Sequence, residues 1–109
     1  MITCDFTIIP IGNGTSCKNY VTAAVQAIKD SGLNYQLTGM GTQIEAENLE
    51  ELYSAIANAQ EAIFELEAGR VYSVIKIDDR RDIKNRTLDA KVDSVNKKLK
   101  TSAPSTLSV

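Results

Sequence analysis

An α+β sandwich is predicted: strand, helix, strand, strand, helix, strand, with a four-stranded antiparallel sheet and an extra C-terminal helix. Three observations point to it. Runs rich in β-branched residues lie near both ends of the main body, Ile2 to Ile11 and Arg70 to Asp78. Two long stretches with apolar residues at helical spacing lie between them. These stretches are separated by two short β-prone runs joined by Gly39-Met40-Gly41, which read as a hairpin. With 109 residues the chain is near the usual size for one domain. Residues 1–100 are read as that domain and residues 101–109, rich in Ser, Thr and Pro, as a flexible tail.

The first strand takes its apolar bulk from Phe6, Ile8 and Ile9, and Pro10 ends it or sits at its edge. Gly12 to Ser16 is a turn by composition, and Thr15 or Ser16 can cap the following helix. That helix spans about Cys17 to Asp30, with Tyr20, Val21, Ala24, Val25 and Ile28 on one face and Gly32 as the stop. Short strands follow at Asn34 to Thr38 and Thr42 to Ala46. Asn48, with Glu51 three residues on, opens a second helix running to about Glu67. Its buried face is read as Leu49, Leu52, Tyr53, Ile56, Ile63 and Leu66, with Gly69 ending it and its alanines supplying propensity. Val71 to Ile77 is mostly apolar and is read as a strand buried on both faces, central in the sheet. Thr87 caps a third helix, Leu88 to about Lys100, whose stripe of Leu88, Val92, Val95 and Leu99 is narrow enough to pack on one surface only. Lys97, Lys98 and Lys100 complement its dipole.

This order is the split βαβ arrangement of ferredoxin-like folds, which packs both core helices on one face of the sheet. The other face, if it carries Ile, Val, Tyr and Phe, is an apolar patch that monomers rarely expose. The third helix, a ligand or another copy must cover it. The expectation is self-association: a dimer first, then a tetramer as a dimer of dimers.

Composition narrows the function. Hydrophobic residues at 43% suffice for one core. A net charge of −2 with no histidine, and no basic cluster before the last helix, argues against nucleic acid as a partner. No stretch approaches membrane-spanning length and the first residues do not resemble a signal peptide, so the expected location is the cytoplasm. Cys4 and Cys17 are too few for a metal motif and are expected to be reduced thiols, with a disulfide between them left open. No metal and no cofactor are expected.

Candidate functional residues each carry a structural reading beside the chemical one. The loop ending in Ser16 precedes a helix N-terminus, where amides can hold an anion or a polar ligand group, or its glycines simply make the turn. It lacks the Gly-Lys-Ser/Thr ending of a P-loop. Glu45, a carboxylate in mid-strand, can accept two hydrogen bonds from an amidine-like donor pair, or is an edge charge that blocks aggregation. Met40 is adaptable apolar lining or core. Asp78 to Asp82 reads as ion pairs beyond a strand end. Asp78 and Asp79 point to opposite faces, which makes them poor partners for a two-carboxylate catalytic site. No base stands beside Ser16 or Cys17, so no catalytic residue is assigned.

Three segments together resemble the small thiamine-binding protein family of bacteria, archaea and fungi: Ile9-Pro10-Ile11-Gly12-Asn13-Gly14, Met40-Gly41-Thr42-Gln43-Ile44-Glu45, and Ile75-Lys76-Ile77-Asp78-Asp79-Arg80-Arg81-Asp82. The likeness spans about the first hundred residues. It implies a ferredoxin-like fold, a homotetramer built from two dimers, and binding of thiamine or its hydroxymethylpyrimidine part without catalysis. Glu45 suits the aminopyrimidine; Ser16, Thr38 and Thr42 could supply hydroxyls; Met40 could line a pocket at a protomer interface between the first loop and the hairpin. The alternative is a structural or regulatory homo-oligomer without a thiamine ligand. An RNA-recognition module lacks aromatics on Thr42 to Ala46, and a metal carrier lacks close cysteine spacing.

Overall fold

The computed structural model describes residues 1–12, 17–82 and 87–102, with side chains as far as residue 99. Its elements are β1 (Ile2–Pro10), α1 (Lys18–Asp30), β2 (Tyr35–Thr38), β3 (Gly41–Ala46), α2 (Leu49–Phe64), β4 (Val71–Asp79) and α3 (Leu88–Ser102). The sheet order is β2-β3-β1-β4 and every pairing is antiparallel. This is the ferredoxin-like α+β sandwich. Thr101 and Ser102, read as the start of the tail, belong to α3, and the rest of the tail lies outside the described residues. So do Thr15 and Ser16, the expected caps of α1; the residue at the cap position is Cys17, whose side chain makes no capping bond.

The strand period of two divides β1 cleanly. Ile2, Cys4, Phe6 and Ile8 face the core helices and are buried. Opposite them in register, Ile44 and Thr42 come from β3, and Ile77 and Ile75 from β4. Ala24 and Ile28 of α1 and Leu52, Ile56, Ala59 and Ile63 of α2 close the core from above. Ala55 and Ala59 sit on the buried face of α2, whereas Tyr53 and Leu66, read as core, are 51% and 44% exposed. The spacing 52–56–59–63 is the true stripe, and Tyr53 is rotated away from it.

Two expectations are corrected. β4 is an edge strand, not a central one, and its Tyr72, Val74 and Ile75 are exposed. The fold order places the last strand outside β1, however apolar its sequence. In addition, α2 ends at Phe64, and the left-handed turn after it is made by Glu67 (φ 65°) rather than Gly69. The stop after α1 matches expectation: Gly32 has φ 82° just beyond the cap residue Ser31.

The face away from α1 and α2 differs from the expected apolar patch. In register it carries Thr3, Asp5 and Thr7 of β1, Gln43 and Glu45 of β3, Gln36 of β2, and Lys76 and Asp78 of β4. Phe6 is in the core. Among the described residues only Ile9, Tyr72 and Val74, at one end, are large apolar side chains of the strands on this face, and all three are exposed. Its other end is covered by the first turn of α3. Among the described residues no helix is long and apolar enough to cross a membrane.

Candidate functional site

The polar end of the open face converges on Glu45. This carboxylate is 8% exposed on β3, the second strand in from one edge. A buried charge needs hydrogen-bond partners, and Glu45 has two. The backbone N–H of Leu88, at the start of α3, donates to Oε1 at 2.8 Å, and Asn34 Nδ2 donates to Oε2 at 3.4 Å. Glu45 is thus a remote cap of α3, favoured by the positive end of that helix. Asn34 is fixed in turn because its carbonyl accepts the Glu45 N–H at 2.9 Å.

Three more contacts lie beside it. Gln36 Nε2 donates to Asp89 at 2.9 Å, and Lys91 Nζ donates to Thr3 Oγ1 at 2.8 Å and pairs with Asp78 at 2.9 Å. Thr87 Oγ1 accepts the Ala90 N–H at 3.0 Å and so caps α3 as expected. The floor continues with Gln43 Nε2 donating to Asp5 at 2.8 Å. Next to this cluster the sheet face holds a cavity of 230 Å³ lined by Thr3, Asp5, Gln43, Lys76, Asp78 and Leu88, among others. A second hollow of 520 Å³ lies by the sheet edge, where Glu45 and Asn34 meet Ser31, Glu47, Glu51 and Asn58. A carboxylate beside a carboxamide offers an acceptor and a donor side by side, which complements an exocyclic amine next to a ring nitrogen.

The other expected residues are placed elsewhere. Thr38, Met40 and Thr42 come together around a 170 Å³ cleft between α1 and the hairpin, whose wall is Phe6, Val21, Val25 and Leu37. Thr38 Oγ1 donates to the Gly41 carbonyl at 2.9 Å and accepts the Met40 N–H at 3.3 Å, so it serves the turn. Met40 is 88% exposed at the tip. Thr42 is buried on the helix side of β3. Glu45 lies three residues on, about 10 Å along the strand and on the opposite face. Within one protomer, therefore, no single small molecule touches both Thr42 and Glu45. Ser16 lies outside the described residues.

Asn34 and the Leu88 amide were not legible as site residues. Leu88 is 43 positions from Glu45, and nothing in local pattern links the two. The charged run after β4 forms the expected ion pairs, Arg80 with Asp82 at 2.8 Å and Arg81 with Asp79 at 2.9 Å. Both cysteines are free thiols. Burial, and next the adjacent Asp5 carboxylate, push the Cys4 thiol up to about 11, which keeps it protonated and inert as a nucleophile. Among the described residues no cluster of His, Cys, Asp and Glu could hold a metal ion.

Comparison with known proteins extends this geometry. A family model described as thiamine-binding protein matches residues 4–96. A relative from Methanothermobacter thermautotrophicus, named a UPF0045 protein, is 48% identical over 100 residues, covering 91% of this chain and all of the relative. A crystal structure of a Methanocaldococcus jannaschii protein superposes with a TM-score of 0.79 at 32% identity, covering 87% of this chain and 95% of that one. A Thermotoga maritima structure, described as a candidate thiamine biosynthesis/salvage protein, has a TM-score of 0.73 at 20% identity, covering 86% and 97%; at that identity it shows the fold alone.

Proposed function

The chain belongs to the thiamine-binding protein family, and from that premise we propose that it is a non-catalytic, cytoplasmic binder of thiamine or its hydroxymethylpyrimidine moiety. The observation that carries this reading is the buried Glu45 carboxylate on the open sheet face. Its Oε1 is oriented by the Leu88 amide, while Oε2 makes only a long contact of 3.4 Å with Asn34. That contact is at the weak limit of hydrogen bonding. An aminopyrimidine would replace it, giving its amine hydrogen to Oε2 and accepting from Asn34 Nδ2. The cationic thiazolium suits a protein of net charge −2. In this reading Thr42 contributes only from a neighbouring copy, because its own sheet separates it from Glu45, and so do Thr38 and Met40, which lie at the hairpin tip about 13 Å along the sheet from Glu45. Self-association belongs to the same proposal. The exposed, nine-residue edge of β4 supports a dimer, and the family resemblance a tetramer of two dimers.

The second reading is a homo-oligomer with no thiamine ligand. It is favoured by one observation: both Glu45 oxygens already have protein donors, so anchoring α3 is a complete structural role. A thermal-shift titration with thiamine, thiamine phosphate and hydroxymethylpyrimidine separates the two. Ligand at a hundredfold its dissociation constant stabilises the fold by about 2.7 kcal/mol. Glu45→Gln keeps an oxygen for the Leu88 amide but loses the charge, so the free protein should melt nearly unchanged while thiamine affinity falls at least about tenfold, the range of one charge-assisted bond. Unchanged affinity removes Glu45 from the site. No shift with any of the three compounds, on an intact oligomer, favours the assembly reading.

A further inference from the structure

The first turn of α3 touches every strand of the sheet. Asp89 accepts from Gln36 of β2, the Leu88 amide donates to Glu45 of β3, and Lys91 donates to Thr3 of β1 and Asp78 of β4. Beyond that turn, residues 92–99 are exposed throughout. An element with little buried surface, held by polar bonds that water can replace, lies at the low end of local stability. α3 therefore opens and closes at far less cost than the core strands and helices.

Glu45 is where that opening meets the site, because its two oxygens have separate duties. Oε1 holds α3 through the Leu88 amide at 2.8 Å, and Oε2 has the long 3.4 Å contact with Asn34. Leu88 is the first residue of α3, so its N–H has no acceptor within the helix, and Glu45 supplies one. With α3 down, the carboxylate is buried and fixed by a short bond, with Oε2 presented. With α3 up, the same carboxylate is hydrated and free to turn. A donor arriving at Oε2 must then order it again and strip its water, which costs affinity.

We infer that the first turn of α3 is a latch coupled to the Glu45 site: its docking positions the carboxylate for ligand, and a ligand at Oε2 holds the latch down. The latch rests on the function proposed above and adds its regulation. The coupling is reciprocal, because whatever docking contributes to ligand affinity the ligand returns to docking. Leu88, through its amide, and Lys91, through its bonds to Thr3 and Asp78, are positioning residues that act on the site through Glu45 and α3 rather than by touching ligand.

Leu88→Pro isolates the bond. Proline is well tolerated at the first position of a helix, and it lacks the N–H that Glu45 accepts. Leu88→Ala keeps that N–H and controls for the lost side chain. Thiamine and hydroxymethylpyrimidine are titrated calorimetrically into the native chain and both variants, and hydrogen exchange along α3 is followed with and without each compound. In the native chain either compound should slow exchange at the α3 amides by about fivefold or more, the lower end of coupling between sites. Leu88→Pro should bind both compounds at least about fivefold more weakly and lose the ligand-dependent slowing, while Leu88→Ala retains both properties. Lys91→Met should weaken binding in the same direction. If the native chain binds and its α3 exchange stays unchanged or quickens, the latch is overturned and the thiamine reading stands. Equal affinity in Leu88→Pro, or an equal loss in Leu88→Ala, overturns it in the same way. No binding of either compound to the native chain overturns both.

Discussion

Cys4 and Gly41 carry predictions that need nothing beyond their immediate surroundings. The Cys4 thiol is 2% exposed, and its pKa is raised from 9.0 to about 11. A raised value in the folded state means that folding favours the protonated thiol. That stability is fully present below pH 9 and is lost as pH climbs toward 11. Denaturant melts from pH 8 to 11 should show a decline on the order of 2 kcal/mol in the native protein that is absent from Cys4→Ala. Equal slopes in the two proteins would contradict the assignment. Gly41 is required by close approach: a Cβ there would stand 2.8 Å from Thr7 Oγ1 and 3.1 Å from the Phe6 carbonyl. Gly41→Ala should cost roughly 1–3 kcal/mol by overpacking, read as a drop in melting temperature. Glu45 was legible as an unusual mid-strand carboxylate because few reasons exist to bury a charge. Its donors were not, since Asn34 and Leu88 meet it only through tertiary packing.

The elements follow from local chemistry where local chemistry decides. Asn48 accepts the Glu51 N–H at 2.9 Å as the N-cap of α2, as its place before the Leu49 stripe indicates. Asn48→Ala should therefore destabilise the fold by about 1 kcal/mol, whereas Asn48→Ser should be nearly silent in the same melt. The order of strands and helices and the caps of α2 and α3 were legible for this reason. The place of β4 was not. An apolar run looks the same whether a second strand or a second chain will cover it, and pairing partners are set by connectivity rather than by side chains. The buried face of α2 was misjudged at Tyr53 for a related reason. An aromatic ring suggests core, yet the helix approach there is made by Ala55 and Ala59. The first turn of α3 is held to the sheet by hydrogen bonds and an ion pair, so Lys91→Met, which removes its bonds to both Thr3 and Asp78, should loosen it selectively. Hydrogen exchange should quicken at α3 amides and stay unchanged in β1.

At the scale of the molecule, the sheet divides labour between its faces. One is filled by the core of Phe6, Ile28, Ile44, Leu52 and Ile63; the other is polar around Glu45 and apolar only around Ile9, Tyr72 and Val74. The protomer keeps an open polar face around Glu45 and an exposed strand edge at β4. The chain belongs to the thiamine-binding protein family, and the function proposed for it centres on the buried Glu45 carboxylate. Isothermal titration of thiamine into the intact protein, with the ligand recovered and analysed afterwards, tests that account most directly. The account predicts saturable binding that Glu45→Gln weakens, and thiamine returned chemically unchanged. No heat of binding on a correctly folded oligomer, or thiamine returned cleaved or modified, would contradict it.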